Sequence, residues 1–576
     1  MKMSTLITPE LQRAHGAKGR VLALAGAAVF ALSAYLPWAY GSDALDNMTY
    51  LFGPSTLQFL GLGLGVMTVL ALAGGIVAAR TPRASGRPRV IHRVGWNRAA
   101  RAGSWGQLGY IGIVIVAVAL ELGGLVNVEW GAWIALAAAI AAAAGTRLLN
   151  PGRAPSLDRA ASRPWIEILA IAALLAIGLF SAAFALDQDD GGVFVVLLVL
   201  LAAVVAIILT AGVGAWLSAI GRRHRSVLVF SAFLVAFLFP FTQNGSDANM
   251  SIATQVLVFA ATAIGLNIVV GLAGLLDLGY IAFLGAGAFT AATLSESVFA
   301  TIDWKPPFIV VMLIAGLVSA SFGLLIGSPT LRVGGDYLAI VTLAFGEIFR
   351  ITMNNLDGSD GPDLVHGSSG IPAIPDLNLF GFDFGAVHTV LGIPLGRFSN
   401  YFFLMLLLMA FVVLVFTRLN TSRIGRGWVA IREDEKAAEA MGVNVFGLKL
   451  LAFAGGAFLA GLAGAVKAHV DVSVTPEQYI FLESAFLLAA VVLGGMGTVL
   501  GVLIGATLLK LLPEKLRFLS EYRMLIFGLL MVLMMRFRPE GMVPNSRRQL
   551  EFHADDEDLV DEIGDDLPYE FAEERR

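Results

Sequence analysis

Glu347 and Arg350 stand three residues apart in GDYLAIVTLAFGEIFRI (335–351), a stretch that is otherwise almost wholly apolar. On a helix that spacing is about 4.5 Å of rise along one face, so the two can pair. An ionisable group in hydrocarbon costs several kcal/mol unless it is paired or meets water. One reading is therefore an ordinary pair snorkelling at a membrane edge. The other is recognition: a carboxylate and a guanidinium match the ammonium and carboxylate of a zwitterion such as a free amino acid. Lys467, His469 and Glu483 are expected at the same level on other segments. GGMGT at 494–498 adds backbone chemistry, because an interrupted helix at membrane depth is tolerated only beside protein or a water-filled cavity. Glu347, Arg350, Glu483, Gly494, Gly495 and Gly497 are thus the candidate residues of a substrate pathway. No residue is assigned to covalent catalysis or to a metal. The chain has no cysteine, hence no thiolate site, and no Gly-Lys dipeptide, hence no GxxxxGK[ST] phosphate loop. Any ATP hydrolysis must belong to another chain.

The elements that position these residues follow from composition. Of 576 residues, 57% are hydrophobic and 14% charged, with a mean hydropathy of +0.78. A water-soluble chain of this length needs far more polar surface. Charges cluster between apolar runs near 20–40, 56–79, 108–126, 130–149, 165–186, 192–220, 226–241, 251–270, 277–298, 308–328, 336–353, 400–417, 448–468 and 520–536. A longer run fills 481–512. A helix crossing about 30 Å of hydrocarbon needs about 20 such residues. The expected fold is an all-α polytopic membrane protein with about 14–15 transmembrane helices.

Basic and acidic connections alternate. Residues 80–107 carry Arg80, Arg83, Arg87, Arg89, Arg93, Arg98 and Arg101 and no acid, and 147–164 and 221–225 are also basic. Asp43 and Asp46, then Asp187, Asp189 and Asp190, then Asp247 mark the opposite side. By the positive-inside rule the N-terminus and the 418–447 loop are cytoplasmic and the 354–399 loop is outside. Asp277 then falls near the cytoplasmic end, where it can be solvated. The run at 481–512 either enters, breaks at its glycines and returns, or crosses once as a long tilted helix; the broken, re-entrant form is preferred. The tail from 551, with ADDEDLVDEIGDD, has the composition of a disordered acidic segment.

The 418–447 loop differs from the other basic linkers. From Trp428 to Met441 it has helix formers of both charge signs, and Gly442 stands where a helix would end. An interfacial helix resting on lipid is one reading. Its acids Glu433, Asp434, Glu435 and Glu439 suit an anionic membrane surface poorly and favour docking into a soluble partner.

From about 251 to 545 the chain resembles the permease subunits of branched-chain amino acid ABC transporters, the LivM type. The stretches that carry this are GLNIVVGLAGLLDLGYIAFLGAGAF (265–289), LRVGGDYLAIVTLAFGEIFRI (331–351), GRGWVAIREDEKAAEAMGV (425–443), ESAFLLAAVVLGGMGTVLG (483–501) and FRPEGMVP (537–544). The resemblance implies that 425–443 is a coupling helix seated in a cytoplasmic ATPase. Arg426, Trp428, Arg432, Glu433, Asp434, Glu435, Ala438 and Gly442 are the expected coupling residues, although they fit the general EAAxxxG pattern only loosely. It further implies a second permease subunit, two cytoplasmic ATPase subunits that bind ATP and magnesium, an extracytoplasmic substrate-binding protein, and a multi-pass place in the bacterial cytoplasmic membrane. No cofactor is expected in this chain itself, and it is not an enzyme.

The expected organisation is a cytoplasmic N-terminus (1–19), extra N-terminal transmembrane helices (20–225), a permease core (226–550) and the acidic cytoplasmic tail (551–576). The extra helices depart from the resembling family and are taken as a packing or assembly appendage, with Glu121 as their one mid-span acid. The expected function is import of branched-chain, aliphatic amino acids by alternating access coupled to a separate ATPase. The alternatives are a permease for urea or short amides, an ion-driven secondary transporter, and a membrane sensor or scaffold.

Overall fold

The computed structural model describes residues 9–39, 56–81, 90–121, 123–150, 163–187, 191–243, 245–331, 337–359, 362–390, 392–515, positions scattered between 525 and 536, and 541–543. The chain divides into two compact units, Met1–Thr242 and Gln243–Arg576. With no water in the bilayer, backbone groups must be satisfied within the segment, and helix answers that requirement almost throughout. Among the described residues 11 helices are long and apolar enough to cross a membrane, or up to 12 if one bent pair is a single span. The protein is an all-α, multi-pass membrane protein.

The first unit contains α1 (Pro9–Leu32), α2 (Thr56–Arg80), α3 (Trp96–Glu121), α4 (Trp130–Arg147), α5 (Pro164–Asp187), α6 (Gly191–Ala211), α7 (Val213–Arg223) and α8 (Arg225–Thr242). Small residues set its closest approach. A Cβ on Gly26 of α1 would stand 2.6 Å from the Ala138 carbonyl oxygen of α4, the packing expected where no hydrophobic force separates helix from lipid. Phe30, Trp38 and Tyr110 fill the core, and the Tyr110 hydroxyl donates to the Leu57 carbonyl at 2.6 Å. Arg101 donates to the Leu149 carbonyl at 3.1 Å, just past the end of α4. Glu167 is buried and joins Arg223 at 3.0 Å and His224 at 2.9 Å.

The second unit contains α9 (Asp247–Asn267), a π turn (Ile268–Leu272), α10 (Ile281–Thr293), α11 (Phe308–Thr330), α12 (Tyr337–Asn354), α13 (Arg397–Thr421), α14 (Arg423–Glu433), α15 (Glu435–Ala440), α16 (Val445–Asp471), α17 (Phe481–Gly494) and α18 (Val499–Lys515). Two small hairpins decorate the loop between α12 and α13: β1 (Asn378–Leu379) with β2 (Phe382–Asp383), and β3 (His388–Val390) with β4 (Ile393–Leu395). This loop is tied to the far end of α16, where Arg397 donates to the carbonyls of His469 and Val470 and Ile371 pairs with Val474. The unit therefore has two distinct ends, one carrying α14 and α15 and the other carrying the hairpin loop.

Several expected spans differ in detail, each for a local reason. The 192–220 run is broken at Gly212, whose φ of 89° ends α6; α7 and α8 then meet at a bend of 102°. The 277–298 run yields only the 13-residue α10, because the chain is unwound from 273 to 280. That unwound stretch is anchored by side chains: Leu278 N donates to Thr342 Oγ1 at 3.0 Å, Gly279 N to Asp277 Oδ1 at 3.0 Å, and Ile281 N to Ser484 Oγ at 2.9 Å. Asp277, expected in solvent, is instead fully buried. Glu121 is the last residue of α3, not mid-span. Most of the expected 520–536 span, residues 1–8 and the acidic tail lie outside the described residues.

The 481–512 run is a helical hairpin. Gly494 approaches Gly501, Gly505 approaches Ala490, and Lys510 meets Glu483, so α17 and α18 run antiparallel. Helix α18, at 17 residues, is about 25 Å long, whereas α17 with the turn before it, Pro476–Gly494, is a 19-residue candidate span. Gly495 and Gly497 make the turn at φ of 123° and 79°, conformations that L side chains rarely adopt.

Candidate substrate cavity and coupling helices

A cavity of about 250 Å³ lies in the half of the second unit that carries the hairpin loop. Its charged wall is made of two ion pairs. Lys510 of α18 meets Glu483 of α17 at 3.1 Å, and Lys467 pairs with Asp471 one turn along α16. All four side chains are partly buried, between 18% and 31% exposed. Water therefore screens them only in part, and each pair is stronger than a surface pair. Lys510 also lies 4.8 Å from the centre of the Phe259 ring, a cation–π placement. The apolar part of the lining is Val258 and Phe259 of α9, Ile281 and Leu284 of α10, and Val470. Gln255 and Gln478 complete the lining, and Gln478 Oε1 is buried without a hydrogen-bond partner among the described residues. A buried amide oxygen left without a donor costs free energy until something donates to it.

Of the candidate pathway residues only Glu483 lines this cavity, together with Lys467, which was expected at its level; His469 does not line it. Glu347 and Arg350 do pair, through both Nε and Nη2 of the guanidinium, and Arg350 also donates to Glu477 at 2.8 Å. Arg350 is partly buried, at 22% exposure, while Glu347 and Glu477 are 43% and 62% exposed, and Arg350 already holds two carboxylates. A ligand carboxylate would have to displace one of them. Gly494 ends α17, 11 residues and about 16 Å from Glu483 along the helix, and Gly495 and Gly497 follow it in the turn. They form the hairpin turn and do not join the charged wall. Lys510, Asp471 and Gln478 were not singled out from the sequence. Lys510 carried a readable signal, a lysine inside VLGVLIGATLLKLL (499–512), because an intramembrane charge implies a partner.

The 418–447 loop folds as α14 and α15, not as one helix. Asp434 sits at φ −153° and ψ 108° and accepts from Ala437 N at 2.9 Å, so it ends α14 and caps α15. Gly442, at φ 83°, closes α15 with the paired Val443-to-Ala438 and Gly442-to-Glu439 bonds of a Schellman motif. The expected coupling residues divide by direction. Arg426, Glu433, Asp434, Glu435 and Gly442 are exposed. Trp428, Arg432 and Ala438 turn inward: Trp428 and Ala438 are buried, and Arg432 donates to the Gly271 carbonyl at 2.6 Å. Lys449, buried in α16, forms an ion pair with Glu435 at 2.6 Å.

Trp428 Nε1 donates to the Leu448 carbonyl at 2.7 Å, so this side chain fastens α14 to α16 by packing and a hydrogen bond together. Trp428→Ala should remove about 3–5 kcal/mol of local stability and make the Arg423 and Arg426 bonds fast sites for trypsin. Cleavage as slow as in the unaltered protein would contradict this anchoring.

The family model described as "Branched-chain amino acid transport system / permease component" matches residues 248–535. The chain belongs to this family. The permease is 42% identical over 346 residues to the Escherichia coli high-affinity branched-chain amino acid transport system permease protein LivM, covering 58% of this chain and 78% of that one. The Salmonella typhimurium LivM is 41% identical over 344 residues, 57% of this chain and 77% of that one. The permease is also similar to the Escherichia coli LivH permease, at 33% identity over 126 residues, 21% of this chain and 40% of that one. No solved structure matches the chain. The permease is thus a transport subunit, and residues 1–247, including α1 to α8, lie outside the matched family region.

Proposed function

We propose that this permease forms half of the membrane channel of an ABC importer and carries branched-chain, aliphatic amino acids inward across the bacterial cytoplasmic membrane. The observation that carries the proposal is the cavity whose lining combines two cations and two anions with apolar side chains. A zwitterion adds no net charge to such a site, its carboxylate going to Lys510 or Lys467 and its ammonium to Glu483, Asp471 or the Gln478 oxygen. Its aliphatic side chain lies on Val258, Phe259, Ile281 and Leu284. A neutral amide such as urea can hydrogen-bond to these charges but has no apolar group for the aliphatic lining.

The exposed face of α14 and α15 is the docking surface for a cytoplasmic ATPase, which binds ATP and magnesium. A second permease of the LivH or LivM kind completes the channel, and a substrate-binding protein delivers cargo to the end carrying the hairpin loop. Alternating access then follows: closure of the ATPase pair moves α14 and α15 and exchanges the open ends of the channel.

The test is reconstitution of the permease with its co-encoded subunits in vesicles holding ATP. Leucine uptake that needs both ATPase and binding protein, and that valine suppresses but urea does not, is the expected result. Uptake by the lone chain, driven by an ion gradient, would overturn the proposal.

A further inference from the structure

Asn267 is the last residue of α9 and has no exposed surface. Its side chain spans to the hairpin turn between α17 and α18. Gly497 N donates to Asn267 Oδ1 at 2.8 Å, and Asn267 Nδ2 donates to the Thr498 carbonyl at 3.2 Å. A primary amide is the neutral side chain that accepts and donates at once, so it matches one N–H and one C=O of a backbone turn. Immediately after Asn267 the helix widens into the π turn Ile268–Leu272. Its Gly271 carbonyl is held by Arg432, the penultimate residue of α14. Both joints are close. A Cβ on Gly271 would overlap Asn267 Oδ1, and one on Gly274, at φ 72°, would stand 2.6 Å from the Arg432 side chain.

These contacts form one line from α14 to the hairpin turn: Arg432, Gly271, Asn267, then Gly497 and Thr498. We infer that Asn267 is a positioning residue that transmits movement of α14 to the 495–498 turn, with the π turn as the compliant joint between them. The inference rests on the reading that α14 and α15 receive the ATPase stroke. Physical support comes from the turn itself. Gly495 and Gly497 are glycine conformations, so the turn can change shape without side-chain clashes. π turns are rare in helices and often sit at functional sites.

The chain has no cysteine, so Met496→Cys places a single thiol in the turn. The experiment compares its maleimide labelling rate in the assembled transporter, without nucleotide and with the ATPase trapped by ATP and vanadate. In the otherwise unaltered chain the rate should change at least about 3-fold between the two states. The change should vanish with Asn267→Ala or Arg432→Met and partly return with Arg432→Lys, which still donates to a carbonyl. In the Asn267 variants basal ATP hydrolysis and co-purification of the ATPase should stay within about 2-fold, while ATP consumed per amino acid imported rises about 10-fold. Asn267→Asp, which keeps the acceptor and loses the donor, serves as the second variant should Asn267→Ala not accumulate, and it should lose the labelling change too. An equal nucleotide-dependent change in the Asn267 variants, or uptake and hydrolysis falling together at a constant ratio, overturns the inference. Failure of the importer reading shows separately, as an unaltered complex that binds no ATPase.

Discussion

Lys510→Met should lower leucine uptake by the reconstituted transporter about 10- to 100-fold, the loss of one charge-assisted hydrogen bond of about 1.5–3 kcal/mol. Lys510 is the cation that both Glu483 and the Phe259 ring hold over the cavity. Without it, the substrate carboxylate loses a partner and Glu483 is left as a partly buried anion. Glu483→Gln should weaken uptake by a similar factor from the ammonium side. Exchanging the signs, with Glu483→Lys and Lys510→Glu together, keeps the pair and should recover part of the loss. Membrane abundance and ATPase co-purification serve as controls, because α14 and α15 lie at the other end of the unit. Full uptake by both single variants would remove this cavity from the transport path.

Gly464→Val should leave no well-folded permease after extraction, whereas Gly455→Val on the same helix should behave like the unaltered chain. The contrast comes from what each position faces. A Cβ on Gly464 would overlap the Leu284 carbonyl oxygen and stand 2.9 Å from Ala288 N, both on α10, whereas one on Gly455 meets nothing within 4 Å. Helix α10 is buried at almost every position, so it cannot step aside into lipid. Overpacking in a closed core costs about 1–3 kcal/mol when side chains can adjust, and here the obstacle is backbone. Gly287, whose Cβ would stand 2.5 Å from the Gly461 Cα, lies on the same seam. Size-exclusion profiles of the two variants test the claim; matching profiles would refute it.

How much of this was legible in the sequence depends on what kind of signal each residue carries. Apolar runs and the family motifs revealed the all-α membrane architecture and the permease role, because hydrocarbon solvent leaves few alternatives to helix. The break expected at the glycines of 481–512 appears as the turn between α17 and α18, since GGMGT supplies positive-φ positions that a continuous helix has no use for. The break between α14 and α15 was missed because Asp434 looks like one more surface acid until its backbone is seen to cap the next helix. Glu347 and Arg350 drew attention by their local spacing, yet the partner that completes their cluster, Glu477, is 127 residues from Arg350. The same holds for Lys510 with Glu483, and more strongly for Asn267. Asn267 is uncharged and sits inside a recognised motif, and it earns its place through two backbone groups 230 residues away. Pairings over such separations are set by helix packing, which no local pattern encodes. Asp277 reads as solvated by its distance from the span centre, but the unwound stretch before α10 carries it into the interior.

The charges of Lys467, Asp471, Glu483 and Lys510 cancel, and this bears on energetics across the whole membrane. Moving one elementary charge through a potential of 100 mV is worth about 2.3 kcal/mol. A zwitterion received by an electroneutral site takes no such work from the voltage, in either direction. Accumulation of cargo against its gradient should therefore be as steep in depolarised vesicles as in energised ones.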